Sequence, residues 1–417
     1  MLKLSTLAAT SLMLTSSFAY AADTLPSKAE LWKMIQLQQK QIEALQKGQK
    51  QTEATVEKTV KQVKKAEKKV QNVEKIANAG SYSSNDSSMG WWDKTSLGGY
   101  GELHYNGGDT DEIDFHRFVL FVGHEFNDRL RFFSELEIEH ALAGEGKPGE
   151  VELEQAFLEY NITDTQHAKA GLFLLPVGIL NETHEPNTFY GVERNPIEKN
   201  IIPATWWEAG VGLNGELGEG FSYDVALHSG LNTPTTGSKT FNIRSGRQKV
   251  AKASAKDGAA TGRIKWTGLP GVELATSLQY QQDVAQGSLT ESADATLWET
   301  HAAINKNGFG LRALYARWDI NGADAAAAGK DEQYGWYVEP SYRFAVTDED
   351  EIGLFARYNE YDNSASTSTD TKFTQVDFGV NYWPHPNVVL KADYAILDNP
   401  SGTADDELVN LGVGFQF

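Results

Sequence analysis

The stretch VELATSLQYQ, residues 272–281, shows the pattern that decides the fold. Valine, leucine, threonine and tyrosine occupy every second position, and glutamate, alanine, serine and glutamine stand between them. Because successive side chains of a β-strand point to opposite faces, this alternation predicts a strand with one apolar and one polar face. The last seven residues, LGVGFQF (411–417), repeat the pattern.

The same alternation recurs in sixteen consecutive segments of the chain. They lie at about residues 95–105, 114–126, 129–140, 150–162, 165–176, 204–217, 219–230, 258–268, 271–283, 293–305, 308–320, 331–346, 350–362, 371–384, 386–398 and 404–417. The connections between them are alternately short, as at Asn127-Asp128 and Gly218, and long and polar, as at 177–203 and 231–257. An even number of strands with this loop pattern is typical of a closed barrel in the bacterial outer membrane.

We therefore predict an all-β fold at residues 95–417, a 16-stranded antiparallel transmembrane β-barrel. A soluble β-sandwich or propeller is the alternative, but it predicts neither the loop alternation nor aromatic residues at the strand ends. Those aromatic residues, which would form girdles at the two membrane interfaces, are Trp91, Trp92, Trp206, Trp207, Trp266, Trp336, Tyr382, Trp383 and Phe417.

Composition excludes several classes of protein. The 417 residues include 37 Lys and Arg against 57 Asp and Glu, a net charge of −20, so a nucleic-acid partner is not expected. The absence of cysteine excludes disulfide frameworks and thiol catalysis. The mean hydropathy is −0.43. A barrel accommodates this value in lipid because only every second strand residue faces the hydrocarbon.

The residues before the barrel form three predicted segments. Residues 1–21 have Lys3, a short apolar stretch and small residues near Ala21, the pattern of a secretory signal peptide. Residues 22–79 lack proline after Pro26 and carry a weak heptad pattern, which predicts an α-helical coiled-coil stalk in the periplasm. A single solvated helix or a basic tether is the alternative. Residues 80–94 begin with a Gly/Ser/Asn-rich linker.

Two stretches of the barrel region resemble a known family. FYGVERNPIEKNIIPATWWEAGVGLNGEL (189–217) and IRSGRQKVAKA (243–253) are similar to trimeric outer-membrane porins of the phosphate-selective porin O/P family. The resemblance covers residues 95–417 and implies a homotrimer of sixteen-stranded barrels, each with its long third loop folded into the lumen as a constriction. Some related trimeric porins also have an N-terminal coiled-coil extension.

The resemblance and the strand alternation together give a set of candidate pore residues. For the constriction loop they are Glu182, His184, Glu185, Glu193, Arg194, Glu198 and Lys199. Facing the lumen from the strands are an acidic rail, Glu135, Glu137 and Glu139, and the basic residues Arg263, Lys265, Arg312, Arg343 and Arg357. Acidic residues are in excess among the lumen positions, which predicts a preference for cations or neutral solutes. Arginine-rich pores of the family would prefer anions.

One long loop is strongly basic. Residues 231–256 contain no Asp or Glu and carry six cations, Lys239, Arg244, Arg247, Lys249, Lys252 and Lys256. Two interpretations stay open. The cluster could form an anion funnel at the mouth of the pore, or it could face outward and bind the phosphates of lipopolysaccharide.

These features predict a porin in the outer membrane of a Gram-negative bacterium that lets small hydrophilic solutes and ions diffuse passively. The alternatives are a solute-selective porin for phosphate, another oxyanion, dicarboxylates or sugars, and an envelope tether whose stalk contacts the cell wall. Outer-membrane lipid and lipopolysaccharide are expected partners. The chain has neither G-x-S-x-G nor H-E-x-x-H, and its histidines are scattered, so we expect no enzyme activity, cofactor or metal.

Overall fold

The computed structural model describes residues 90–108, 111–400 and 403–417, together with Lys28. The predicted signal peptide, the stalk apart from Lys28 and most of the linker lie outside the described residues. The chain divides into two units, Met1–Asn85 and Asp86–Phe417. The second unit contains the barrel.

The second unit is built from sixteen β-strands. They are β1 (Thr95–Gly107), β2 (Glu112–Glu125), β3 (Leu130–Glu139), β4 (Val151–Asn161), β5 (Gln166–Leu174), β6 (Trp207–Gly218), β7 (Phe221–His228), β8 (Ala259–Trp266), β9 (Val272–Gln281), β10 (Asp294–Lys306), β11 (Phe309–Asn321), β12 (Glu332–Ala345), β13 (Glu351–Asp362), β14 (Phe373–His385), β15 (Val388–Asp398) and β16 (Asp406–Gln416). Two short helices, α1 (Ile197–Asn200) and α2 (Ala323–Ala327), lie in loops. No helix in the described part of the chain is long and apolar enough to cross a membrane.

Each strand pairs antiparallel with the next, and β1 closes the barrel against β16. At the closure, Gly101 is opposite Phe415 and Leu103 is opposite Val413. Closure leaves no sheet edge, so the backbone donors and acceptors of all strands can pair inside the sheet, as a hydrocarbon environment requires. The predicted sixteen-stranded antiparallel barrel is confirmed.

The two faces of the barrel differ as the sequence pattern predicts. On β9, Leu278 and Tyr280 are 55% and 48% exposed, whereas Ser277, Gln279 and Gln281 are almost fully buried. Apolar side chains therefore point out and polar side chains point in, the reverse of a soluble protein. Such an outer face is stable where lipid covers it.

Some aromatic residues differ from their predicted place in the girdles. Trp206, Trp207 and Trp383 are buried. Trp206 lies in the loop after β5, where its indole N–H donates to Glu208, 3.0 Å away. The Trp383 ring faces the interior, where the Arg343 guanidinium stacks 3.8 Å from the ring centroid. These three residues therefore belong to the interior of the barrel and not to the girdles.

The loop between β5 and β6, residues 175–206, is called the constriction loop here. It packs inside the barrel against an apolar part of the inner wall. The buried residues of this contact are Leu175, Val177, Leu180, Ile197, Ile201, Ile202 and Trp206 from the loop and Leu297, Leu314, Ala316, Trp318, Ile320 and Tyr337 from β10, β11 and β12. The loop thus lies inside the lumen, which is where the resemblance implied the third loop would fold, and the apolar contact holds it there.

Candidate functional site

The barrel wall holds the middle of the constriction loop by its carbonyl groups. Four consecutive carbonyl oxygens each accept a hydrogen bond from a lumen-facing side chain. The pairs are Arg312 to Thr188 O at 2.7 Å, Asn381 to Phe189 O at 3.2 Å, Arg357 to Tyr190 O at 3.4 Å and Lys391 to Gly191 O at 2.8 Å. The next backbone N–H, that of Val192, donates to Asp393 at 2.6 Å. The donors come from β11, β13, β14 and β15, so a quarter of the wall fixes this segment.

Glu198 stabilises the loop from within. Its Oε1 accepts from the backbone N–H groups of Ile179 and Leu180, both at 2.6 Å, and its Oε2 accepts from Asn195 at 3.0 Å and the Tyr337 hydroxyl at 2.9 Å. The carboxylate is completely buried. Glu198 was predicted to belong to the constriction loop, and within that loop its side chain is buried and does not face the passage.

The start of the loop requires glycine at position 178. Gly178 has φ of +77°, a left-handed conformation, and a Cβ there would lie 2.6 Å from Glu198 Oε1. The backbone can therefore pass close enough to donate to the carboxylate.

The basic loop, residues 229–258 between β7 and β8, also reaches into the lumen. Arg244 donates to Lys199 O at 3.0 Å and Ala204 O at 2.9 Å, and Arg247 donates to Thr205 O at 2.6 Å. Lys249 pairs with Glu150 at 2.7 Å and with Glu152. These three cations face the constriction, whereas Lys239, Lys252 and Lys256 are exposed. The basic cluster is therefore divided into three cations at the constriction and three at the exposed surface of the loop.

The two loops and the wall enclose a cavity of about 180 Å³, called the constriction cavity here. Six acidic residues line it, Glu102, Glu137, Glu139, Glu152, Glu154 and Glu193. Six basic residues line it as well, Arg117, Arg194, Lys199, Arg244, Arg247 and Lys249. With histidine neutral, the formal charges of the lining cancel. Most of the acidic residues come from β3 and β4, and five of the six basic residues come from the two loops.

Three arginines of the cavity have no carboxylate within ion-pair distance among the described residues. Arg194 donates to the Thr205 hydroxyl at 2.8 Å, and Arg244 and Arg247 donate to backbone carbonyls. Burial and the nearby charges of Arg247 and Arg194 lower the pKa of Arg244 to about 9. Because these like charges are close and unpaired, this side of the cavity offers an anion a positive potential.

The three glutamates of the acidic rail lie on β3. Glu135 and Glu137 are buried in the interior, Glu139 is half-buried, and Leu136 and Ile138 between them point outward. Next to the rail, Arg117 of β2 pairs with Glu102 of β1 at 2.5 Å. Carboxylates therefore line one wall of the cavity.

The predicted basic residues of the lumen are all engaged. Arg263 pairs with Asp224 at 2.8 Å and with Glu182 of the constriction loop, and Lys265 lies 3.9 Å from Glu273. Arg343 pairs with Glu351 at 2.5 Å. Arg357 pairs with Asp377 at 3.0 Å and Glu339 at 3.1 Å. Since carbonyls or carboxylates already hold them, these side chains anchor the pore lining.

A second cavity of about 380 Å³ lies toward the short turns. Its lining includes Pro270 of the β8–β9 turn, Glu273, Arg312 and Glu339. Phe189 lines both cavities. Space that a solute can occupy is therefore present on both sides of the constriction loop.

A group of histidines near the constriction is not evident from the sequence pattern. His104 and His116 stack with ring centroids 4.6 Å apart, and His140 lies 2.8 Å from Asp114. These residues come from β1, from β2 and from the position directly after β3, and the register of β1 against β2 brings His104 opposite Asp114. The alternation alone put His104 on an inward face, but only the register shows which other histidine lies beside it.

Comparison with known proteins agrees with this arrangement. The family model "Phosphate-selective porin O and P" matches residues 91–417. A protein of Aquifex aeolicus (strain VF5), described only as uncharacterized, is 32% identical over 359 residues, which cover 77% of this chain and 80% of the relative.

Among solved structures, the outer membrane channel DcaP of Acinetobacter baumannii gives a TM-score of 0.52 at 13% identity, covering 78% of this chain and 97% of that one. OmpT of Vibrio cholerae in its trimer form gives a TM-score of 0.51 at 12% identity, covering 78% of this chain and 99% of that one. OmpF of Salmonella typhi gives a TM-score of 0.52 at 15% identity, covering 78% of this chain and 97% of that one. These likenesses show the same fold.

The family match spans the whole barrel, and the barrel encloses a polar lumen narrowed by an inward loop. Family and fold are those of channels, which are not enzymes. The chain belongs to the phosphate-selective porin O and P family and is an outer-membrane porin, a channel for passive diffusion of small solutes.

Proposed function

We propose that this porin passes small hydrophilic solutes of either charge, because the acidic and basic groups of its constriction balance. The observation that carries the proposal is the lining of the constriction cavity, where six glutamates meet six lysines and arginines. The prediction of a lumen that prefers cations or neutral solutes rested on strand residues. Arg194, Lys199 and the basic loop push the other way, and they add cations to the lining of the constriction cavity. A narrow passage with both signs on its walls gives weak selectivity.

Reversal potentials of the full-length protein in planar bilayers test this. Under a tenfold KCl gradient we expect a K⁺ to Cl⁻ permeability ratio near one, within about threefold either way. Glu137→Gln with Glu139→Gln should shift the ratio toward anions, and Arg244→Gln with Arg247→Gln should shift it toward cations. Each shift should be several-fold, because each pair of substitutions removes two formal charges of one sign from the lining of the constriction cavity.

Lys252→Gln is the matched control, because it removes an exposed cation from the same basic loop. It should leave the ratio unchanged. A wild-type ratio far from one, or shifts of the same sign in both double variants, would contradict the proposal.

The unpaired arginines favour a second candidate, a porin selective for an oxyanion. Arg247 Nε has no hydrogen-bond partner among the described residues, and the neighbouring guanidiniums bond only to neutral oxygens. Guanidinium pairs geometrically with tetrahedral oxyanions. The test measures the chloride current in the same bilayers with and without inorganic phosphate. If phosphate blocks the current of the wild type but not that of the Arg244→Gln, Arg247→Gln double variant, this candidate is favoured.

We further propose a homotrimer, with residues 22–79 as a periplasmic stalk. Trimeric OmpT supports the first part, since its barrel is similar to this one. A weak coiled coil is stabilised when three barrels hold its strands together at high effective concentration. Deleting residues 22–79 should leave the single-channel conductance and trimeric mass in native mass spectrometry unchanged. Loss of conductance would contradict the assignment of the pore to residues 95–417. Intact conductance together with a fragile cell envelope would favour the alternative in which the protein tethers the outer membrane to the cell wall.

A further inference from the structure

We propose that Glu135, Glu154 and His184 bind one divalent transition-metal ion, which clamps the constriction loop to the barrel wall. Glu135 lies on β3, Glu154 on the neighbouring β4, and His184 on the loop. The site goes beyond the passive channel, and the spacing of the three residues along the chain does not reveal it.

The three side chains present their ligand atoms to one point. His184 Nε2 lies 3.4 Å from Glu135 Oε1 and 3.5 Å from Glu154 Oε2, and all three atoms lie within 4.8 Å of one another. Around Zn²⁺, nitrogen and oxygen ligands at about 2.0–2.1 Å in a tetrahedron are separated by about 3.3–3.4 Å. A charged N–H···O hydrogen bond is shorter, about 2.7–2.9 Å. The separations therefore suit ligands of a shared ion better than direct bonds between the side chains.

Burial makes the cluster costly without an ion. The three residues are only 2–3% exposed, and Glu135 Oε1, Glu154 Oε2 and His184 Nε2 have no hydrogen-bond partner among the described residues. Buried polar atoms are rarely left unsatisfied, and two buried carboxylates repel each other. One cation of charge +2 satisfies all three atoms and balances both carboxylates.

Neighbouring groups orient the ligands. His184 Nδ1 lies 3.2 Å from the Asn181 carbonyl oxygen, so an N–H there leaves the Nε2 lone pair toward the carboxylates. Gln155 donates to the other oxygen of Glu135 at 2.7 Å. Such outer partners are typical of metal-binding histidines and carboxylates. Arg117 is close, but its charge is paired with Glu102.

The ion has an entry path, and the other candidate cluster is less suited. Glu154 lines the constriction cavity, so an ion can reach it from the pore. In the second group, His104, His116 and Glu193, the His104 Nδ1 already makes a direct hydrogen bond with Glu193 Oε1, 3.0 Å away.

Zn²⁺ alone is the probe. The full-length protein, purified in detergent and treated with a chelator, is titrated calorimetrically and its zinc content measured by elemental analysis. We expect one Zn²⁺ per chain and a Kd below about 10 μM. Glu135→Gln, Glu154→Gln and His184→Gln should each weaken binding by about 100-fold or more, since a lost ligand costs at least as much as a lost outer partner.

Two histidine variants serve as matched controls. His228→Gln removes another buried interior histidine, bonded to Thr261 at 2.8 Å, and His104→Gln removes the second cluster. Both variants should still bind one Zn²⁺ per chain. No Zn²⁺ binding by the wild type at 100 μM, or loss in His104→Gln with retention in His184→Gln, would overturn the proposal.

Folding of each variant is checked by its heat-modifiable migration on gels. If a ligand variant does not fold, Co²⁺ absorption of the wild type decides. Intense visible bands of a four-coordinate ion support the site, and a weak six-coordinate spectrum or no bound Co²⁺ overturns it.

Discussion

Replacing Arg357 with glutamine is expected to lower the free energy of unfolding of the barrel by about 3–5 kcal/mol. Arg357 is only 4% exposed, and its guanidinium lies 3.0 Å from Asp377 and 3.1 Å from Glu339, both also buried. Removing the cation leaves two buried carboxylates without compensation. It also removes the bond to Tyr190 O of the constriction loop.

Arg317→Gln is the matched control for this prediction. Arg317 also pairs with two carboxylates, Asp319 at 2.7 Å and Glu332 at 3.0 Å, but all three side chains are at least 35% exposed. Water and salt screen this pair, so its loss should change the free energy of unfolding by less than about 1 kcal/mol. Urea unfolding in detergent or lipid, followed by tryptophan fluorescence, measures both variants. Equal changes in the two would show that burial does not set the cost.

Strand count, strand order and the facing of most residues could be predicted from the sequence, because each strand carries its own period-two pattern. The rail of Glu135, Glu137 and Glu139 is the clearest case, since alternation alone places all three on one face. The loop lengths supported the barrel over a sandwich independently of that pattern. The strands that form the wall of the pore could therefore be predicted from the local sequence pattern.

The interior of the pore was predicted less well, because it depends on contacts between distant parts of the chain. Nothing local distinguishes Arg244, which enters the lumen, from Lys239, which is exposed. The sequence assigns Trp206 to an aromatic girdle at the membrane interface, because it does not show that the loop carrying this residue folds inward. His184 becomes a candidate ligand only when the loop brings it beside β3 and β4. Such contacts require the register of the whole barrel.

Those long-range contacts also change the expected electrostatics. A count over the strands gives an acidic lumen, whereas the constriction cavity is balanced because two loops carry cations into it. Arg312, Arg357 and Lys391 of the wall hold the constriction loop by its carbonyl groups, and Arg244 and Arg247 join the basic loop to it. The formal charge of the cavity lining therefore depends on the two loops as well as on the strands.

Replacing Glu198 with alanine is expected to release the constriction loop and raise the single-channel conductance. The change leaves four donors without their acceptor, the N–H groups of Ile179 and Leu180, the Asn195 amide and the Tyr337 hydroxyl. Each unsatisfied buried donor costs about 1–3 kcal/mol, so the loop should lose about 4 kcal/mol or more of local stability. The barrel itself should stay closed, because strand pairing does not involve this carboxylate.

Single-channel recording and limited proteolysis together test the release. Glu198→Gln should have a smaller effect, since the amide oxygen can still accept from the two backbone N–H groups while its NH₂ faces the Asn195 amide. Glu145→Ala, in the exposed loop between β3 and β4, should leave conductance and cleavage unchanged. We expect the conductance and the rate of cleavage within 175–206 to rise in the order Glu145→Ala, Glu198→Gln, Glu198→Ala. If the Glu198→Ala variant keeps the wild-type conductance and shows no additional conductance levels, the prediction is wrong. The apolar contact with Trp318 and its neighbours would then hold the loop without the carboxylate.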